Sequence, residues 1–189
     1  PLEVDTPGGW TRKSTVVRLT GKGHEGVGED VTYQAGDQVS FQREGGERVA
    51  REISEAGGRA IFVETDVADE ASTKAMAAAA VEAWGGVDYL VNNAGSSGPD
   101  LLEDRYWQAN RDYLELMMIA TAAMCHYFIP PMRERGYCRV VNVASVAARS
   151  GARYIAAYAA AKHAVLGFTR CVAAEVAAAG VTVNAVCPG

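Results

Sequence analysis

The chain lacks the residue spacings that metals and disulfides need. Its four cysteines, Cys125, Cys138, Cys171 and Cys187, include no CxxC pair, and three stand in apolar runs. That pattern fits buried free thiols in a reducing compartment better than zinc ligands or disulfides, and it points to the cytoplasm. The three histidines, His24, His126 and His163, are scattered without HxxxH or HExxH, so no metal site is expected. No apolar run approaches about 18 residues without charge, which argues against a membrane-spanning helix. Positive charge is in deficit: 18 Lys and Arg against 23 Asp and Glu give a net charge of −5. Such a balance offers no footprint for nucleic acid or an anionic membrane. The opening "PLEVDTPGGWTRKS" has neither an initiator Met nor the apolar core of a signal peptide. The chain stops at "NAVCPG", straight after an apolar run. Both ends suggest a fragment or a processed product.

What is present reads as one domain. A length of 189 residues with 49% hydrophobic composition allows a sizeable core. Residues 1–13 form a polar N-terminal segment and residues 14–189 the domain. Strand-like runs alternate with helical ones. "STVVRLTG" reads as a strand entering a glycine-rich turn, followed by a short helix "EDVTYQA" and a weaker strand "DQVSF". "GGERVAREISEAG" is an amphipathic helix closed by Gly57, and "RAIFVETDV" is a strand. "DEASTKAMAAAAVEAWGG" is a helix with acids in its first turn, and "VDYLVNNAG" is a strand. A long helix from about Leu101 should stop at Pro130–Pro131. "CRVVNVAS", a helix from Tyr154 to Ala179 and "VTVNAVCPG" complete the series. Several strands are continuously apolar, as expected of a parallel sheet covered on both faces. The expectation is a doubly wound α/β fold of six parallel strands.

In such a fold ligands collect beyond the carboxyl ends of the strands. The residues there are "TGKGHEGVG", with Gly21, Gly26 and Gly28, then Asp66–Val67, then Asn92-Asn93-Ala94-Gly95, then Ala144–Ser145, then Pro188–Gly189. Glycines would let backbone N–H groups approach a pyrophosphate. The helix "YIAAYAAAKHAV" adds Tyr158 and Lys162, one turn apart on one face. They are either a half-buried phenol and a solvated ammonium, or an acid–base pair. For the second reading, a free phenol ionises near pH 10 and is a poor catalyst at neutrality. A cation about 4 Å away, at an effective dielectric near 20, favours phenolate by about 4 kcal/mol. Ser145, 13 residues before Tyr158, is placed to hydrogen-bond a carbonyl oxygen beside the phenol.

"TG…GVG", "DV", "NNAG", "S…YAAAK" and "VNAVCPG", in this order, resemble the short-chain dehydrogenase/reductase family. The likeness runs from about Gly45 to Gly189, and more loosely over the glycine turn. It implies a Rossmann-type fold and an NAD or NADP cofactor. It also implies hydride transfer between the nicotinamide and a small carbonyl or secondary alcohol. Carried over residue by residue, Tyr158 is the general acid/base. Lys162 tunes it and binds the nicotinamide ribose, and Ser145 orients the substrate oxygen. Asp66 and Val67 flank the adenine, Asn92 to Gly95 pass along the cofactor, and Pro188–Gly189 lie by the nicotinamide. The resemblance further implies a homo-oligomer, paired through the long helix and the Tyr158 helix.

Three departures qualify it. Gly21 and Gly26 enclose four residues, "KGHE", where the family has three. Met117 stands where the family often has an Asn supporting a proton relay, while Asn110 lies two turns upstream. The chain ends before the family's substrate-binding loop. These features motivate an alternative, a catalytically inactive dinucleotide-binding or structural module. Gln42, Arg43 and Glu44 leave the choice of NAD or NADP open.

Overall fold

The computed structural model describes residues 14–21, 24–30, 45–96, 102 and 106–189. Its elements in chain order are β1 (Ser14–Gly21), β2 (His24–Asp30), α1 (Gly46–Glu55), β3 (Phe62–Thr65), α2 (Glu70–Trp84) and β4 (Tyr89–Asn92). Then follow α3 (Tyr106–Tyr113), a π-helical segment (Leu114–Ile119), α4 (Ala120–Arg135), β5 (Cys138–Val143), α5 (Ala156–Val176) and β6 (Val181–Val186).

The sheet order is β3-β1-β2-β4-β5-β6. Parallel pairing runs through β2, β4, β5 and β6, whereas β1 pairs antiparallel with both β2 and β3. The six-stranded doubly wound parallel sheet expected from the sequence is therefore corrected. A Rossmann-like parallel sheet is present, but it is built of four strands. The cause lies in the glycine segment. Gly26 and Gly28 are not in a phosphate-binding turn; they sit in β2, opposite Leu19 and Val17 of β1, and Gly26 also faces Tyr89 of β4. A glycine-rich stretch is compatible with either state, and here the ladder hydrogen bonds take it. The helix and strand expected at "VTYQA" and "DQVSF", and residues 42–44, lie outside the described residues.

The helices follow local signals closely. Asp69 caps α2, its carboxylate accepting from the Ser72 N–H at 2.7 Å. Gly85 and Gly136 close α2 and α4 in the left-handed conformation. The expected stop at Pro130–Pro131 does not occur: both prolines lie inside α4. Ile129 and Met132 are buried against the core on either side of them, so packing holds the last turn despite two missing donors. Helix α5 starts just after Tyr154 and ends in a short 3₁₀ turn, Ala177–Ala179, close to expectation.

Two apolar clusters fill the interior. One joins α2, α4, β4, β5 and β6 through Met76, Leu90, Phe128, Met132, Val140 and Val183. The other joins the π-helical segment to α5 through Tyr113, Leu116, Met117, Ala157, Ala161 and Val165. Alanines on α5 let it approach the sheet closely, which brings its polar residues to the strand ends. Among the described residues, no helix is long and apolar enough to cross a membrane.

Candidate active site

A polar chain fixes α5 to the sheet. Asn92 stands opposite Asn142 in the β4–β5 ladder, and its Nδ2 donates to Asn142 Oδ1 at 2.8 Å. Asn142 Nδ2 donates to Thr169 Oγ1 at 2.8 Å, and the Thr169 hydroxyl donates to Val165 O at 2.7 Å. All three side chains are buried. Buried amides need such partners, so the chain sets the height of α5 over the ends of β4 and β5. Asn92 also donates to Cys125 Sγ at 3.8 Å. Burial nevertheless pushes the Cys125 thiol up to about 12, against the lowering effect of that hydrogen bond.

The cavity above this chain has a volume of about 380 Å³ and is lined by Asn93, Gly95, Val143, Ala144, Ser145, Tyr158, Lys162, Pro188 and Gly189. The Ala144 N–H donates to Val186 O at 2.8 Å and the Val146 N–H to Pro188 O at 2.7 Å, which holds Ser145 beside the end of β6. Ser145 caps a single 3₁₀ turn: its Oγ accepts from the Ala147 N–H at 3.1 Å. As an acceptor there, the hydroxyl keeps its own proton for another oxygen. Tyr158 is half-buried, and the ring of Tyr113 meets it edge-on at 6.0 Å between centroids.

Lys162 answers the question its sequence raises. It is only 4% exposed, on the apolar face of α5. Its Nζ donates to Val143 O at 2.8 Å and stands 5.8 Å from the Tyr158 ring centroid. A buried ammonium needs such an acceptor. The solvated-lysine reading of the pair is thereby excluded. A Cβ added to Gly95 would stand 3.3 Å from Lys162 Nζ and 3.4 Å from Met117 Sδ, so glycine permits the close backbone approach at this point.

Sequence reasoning brought Ser145, Tyr158, Lys162, Gly95, Pro188 and Gly189 to one place, and the structure assembles these six. Others fall elsewhere. Asn92 turns into the core, and its neighbour Asn93 lines the cavity instead. Ala94 and Val67 pack in the apolar cluster behind the site. Asp66 is exposed and its carboxylate accepts from the Ala68 N–H at 2.9 Å. Gly21, Gly26 and Gly28 belong to β1 and β2. Tyr113 was missed; its only signal was a place one turn before Met117. Met117 is 1% exposed and packs in the apolar cluster beside Gly95, whereas Asn110 is only partly buried; neither lines the cavity.

The residues present fit the nicotinamide end of a dinucleotide, through a polar cavity with a close glycine. Among the described residues they do not supply a glycine turn for the diphosphate, because Gly21, Gly26 and Gly28 lie in strands. Among the described residues, no three His, Cys, Asp or Glu side chains cluster as a metal site.

A Rossmann-like α/β fold with a serine, a tyrosine and a buried lysine around one cavity at its strand ends defines the class. The profile of the short chain dehydrogenases matches residues 15–189, and the chain belongs to that family. A Streptomyces coelicolor protein assigned as a ketoacyl reductase is 36% identical over 190 residues, spanning 95% of this chain and 71% of that protein. Acetoacetyl-CoA reductase of Paracoccus denitrificans is 33% identical over 176 residues, 92% of this chain and 72% of that one. The crystal structure of a short-chain dehydrogenase from Streptomyces avermitilis aligns with a TM-score of 0.63 at 35% identity, over 66% of this chain and 46% of that one. The chain thus spans about half of that solved relative.

Proposed function

We propose that residues 14–189 form the cofactor-binding and catalytic domain of an NAD(P)-dependent oxidoreductase acting on a small carbonyl or secondary alcohol. The observation that carries this reading is the convergence of Ser145, Tyr158 and buried Lys162 on one cavity. When bound, a nicotinamide cofactor supplies or accepts the hydride. Tyr158 gives its hydroxyl proton to the substrate oxygen in reduction and takes it back in oxidation. Ser145 donates its O–H to the same oxygen, holding it beside the phenol. Lys162 stabilises the phenolate and holds the nicotinamide ribose through its ammonium. Asn93, Gly95, Pro188 and Gly189 would hold the nicotinamide end of the cofactor, and Asp66 and Val67 would stand by its adenine. The carbonyl-reducing relatives agree with this chemistry.

Two points favour the second reading, a catalytically inactive module: Gly26 and Gly28 lie in β2, and Met117 stands where the family resemblance expects an Asn. Titrating tryptophan fluorescence with NADH and with NADPH separates the two when paired with a turnover assay. A saturable response with turnover in the full-length protein is expected. A saturable response without turnover gives the inactive module, and no response to either dinucleotide contradicts the proposal. The complete protein is proposed to be a homo-oligomer, since Trp107 and Ile119 expose 72% and 57% of their surface along the long helical stretch. A monomer in sedimentation at micromolar concentration would contradict that assembly.

A further inference from the structure

Charge is divided along this chain. Residues 135–189 hold six Lys and Arg and a single acid, Glu175, whereas residues 1–134 hold twelve and twenty-two. The segment that builds the Ser145–Tyr158 side of the cavity is basic in an otherwise acidic protein. Two of its cations, Arg149 and Arg153, lie in the connection between Ser145 and Tyr158. Arg149 directly follows the 3₁₀ turn that Ser145 caps, its own N–H donating to Val146 O at 2.9 Å. Arg153 precedes Tyr154, which holds φ at 66°, the only positive φ outside glycine among the described residues. Both arginines are exposed, and among the described residues neither side chain has an ion-pair or hydrogen-bond partner. Among the described residues, no carboxylate lines the cavity.

We infer that Arg149 and Arg153 bind an anionic group, a carboxylate or a phosphate, carried by the carbonyl or alcohol substrate. The inference rests on the oxidoreductase reading and deepens it. A guanidinium presents a planar fork of donors that matches either anion, and two of them stand four residues apart in the one connection between Ser145 and Tyr158. A left-handed tyrosine costs about 1–2 kcal/mol, and residues held this way gather at ligand clamps. The nucleotide is not the natural owner of these cations. Its proposed path follows the ends of β3 and β4, at Asp66 and at Asn93–Gly95, whereas the arginines follow β5.

Three ketones with a shared 3-oxo core test this in the full-length protein: neutral ethyl acetoacetate, acetoacetate with its carboxylate, and acetoacetyl coenzyme A with its phosphates. The wild type is compared with the double variant Arg149→Gln/Arg153→Gln at saturating cofactor, with cofactor affinity and melting temperature measured alongside. The expected result is a fall in kcat/KM of about 10- to 100-fold for an anionic ketone, the scale of a lost charged hydrogen bond. Ethyl acetoacetate should change by less than about 3-fold, because it carries no anion for a guanidinium to hold. A loss confined to acetoacetate identifies a carboxylate, and one confined to acetoacetyl coenzyme A a phosphate. Equal losses for all three ketones, or no loss for either anionic one, would overturn the clamp. A wild type that binds cofactor and reduces none of the three overturns the oxidoreductase reading, and the clamp with it.

Discussion

Replacing Lys162 by Met removes one ammonium and keeps nearly the same volume. Two consequences can be worked from the structure. The first concerns catalysis. With Nζ 5.8 Å from the Tyr158 ring centroid, the attraction between ammonium and phenolate is about 3 kcal/mol at an effective dielectric near 20. At about 1.4 kcal/mol per factor of ten, that loss slows turnover about 100-fold. The second concerns stability. Val143 O loses the donor that now reaches it at 2.8 Å, a cost of about 1–3 kcal/mol for an unsatisfied buried acceptor. Against this, no charge remains to be buried, and a methionine suits the apolar face that Ala161 and Val165 define. The two effects nearly cancel, so the melting temperature should move little while turnover and cofactor affinity fall together. Stopped-flow turnover, dinucleotide titration and a thermal melt on one preparation give all three quantities. Undiminished turnover would refute the reasoning. So would a collapse in melting temperature that accounts for the lost activity.

Gly180→Ala should destabilise the fold by more than about 2 kcal/mol, because φ is 71° there and a Cβ would fall 2.0 Å from Gly136 O; urea denaturation reads the loss, and a change within about 0.5 kcal/mol, the level of an ordinary surface substitution, would contradict the turn geometry. Cys125 supplies a pH test. Its thiol is held up to about 12 in the folded state, against about 8.5 for a free thiol, so the folded protein keeps the proton longer. The resulting stability is fully present below about pH 8.5 and is lost as pH rises toward 12. Between pH 8 and 10 the wild type should lose at least about 1 kcal/mol more than Cys125→Ala, and parallel pH profiles for the two proteins would contradict the buried-thiol assignment.

The parts of the site legible in the sequence were those set by short-range geometry. Tyr158 and Lys162 meet because four residues make one helical turn, and Ser145 joins them because a single connection links β5 to α5. Asn92 and Asn93 could not be sorted from the sequence, since both are polar and adjacent. The strand's alternation sends Asn92 inward to Asn142, a partner fifty residues away. The glycine segment failed for a related reason. "HEGVGED" carries no local preference strong enough to decide between turn and strand, and its state is set by pairing with β1 and β4. The prolines of α4 misled because a missing N–H is a local penalty, whereas the burial of Ile129 and Met132 that overrides it depends on tertiary contact.

The most direct test of the central claim is turnover by Tyr158→Phe in the full-length protein. The substitution removes one hydroxyl and preserves α5 and the edge-on contact with Tyr113. If Tyr158 moves the proton, kcat falls by at least about 100-fold, the usual scale for general acid–base catalysis, while dinucleotide affinity changes little. Near-normal turnover in that variant would show that Tyr158 is packing on an alanine-rich helix and that the proposed mechanism is wrong.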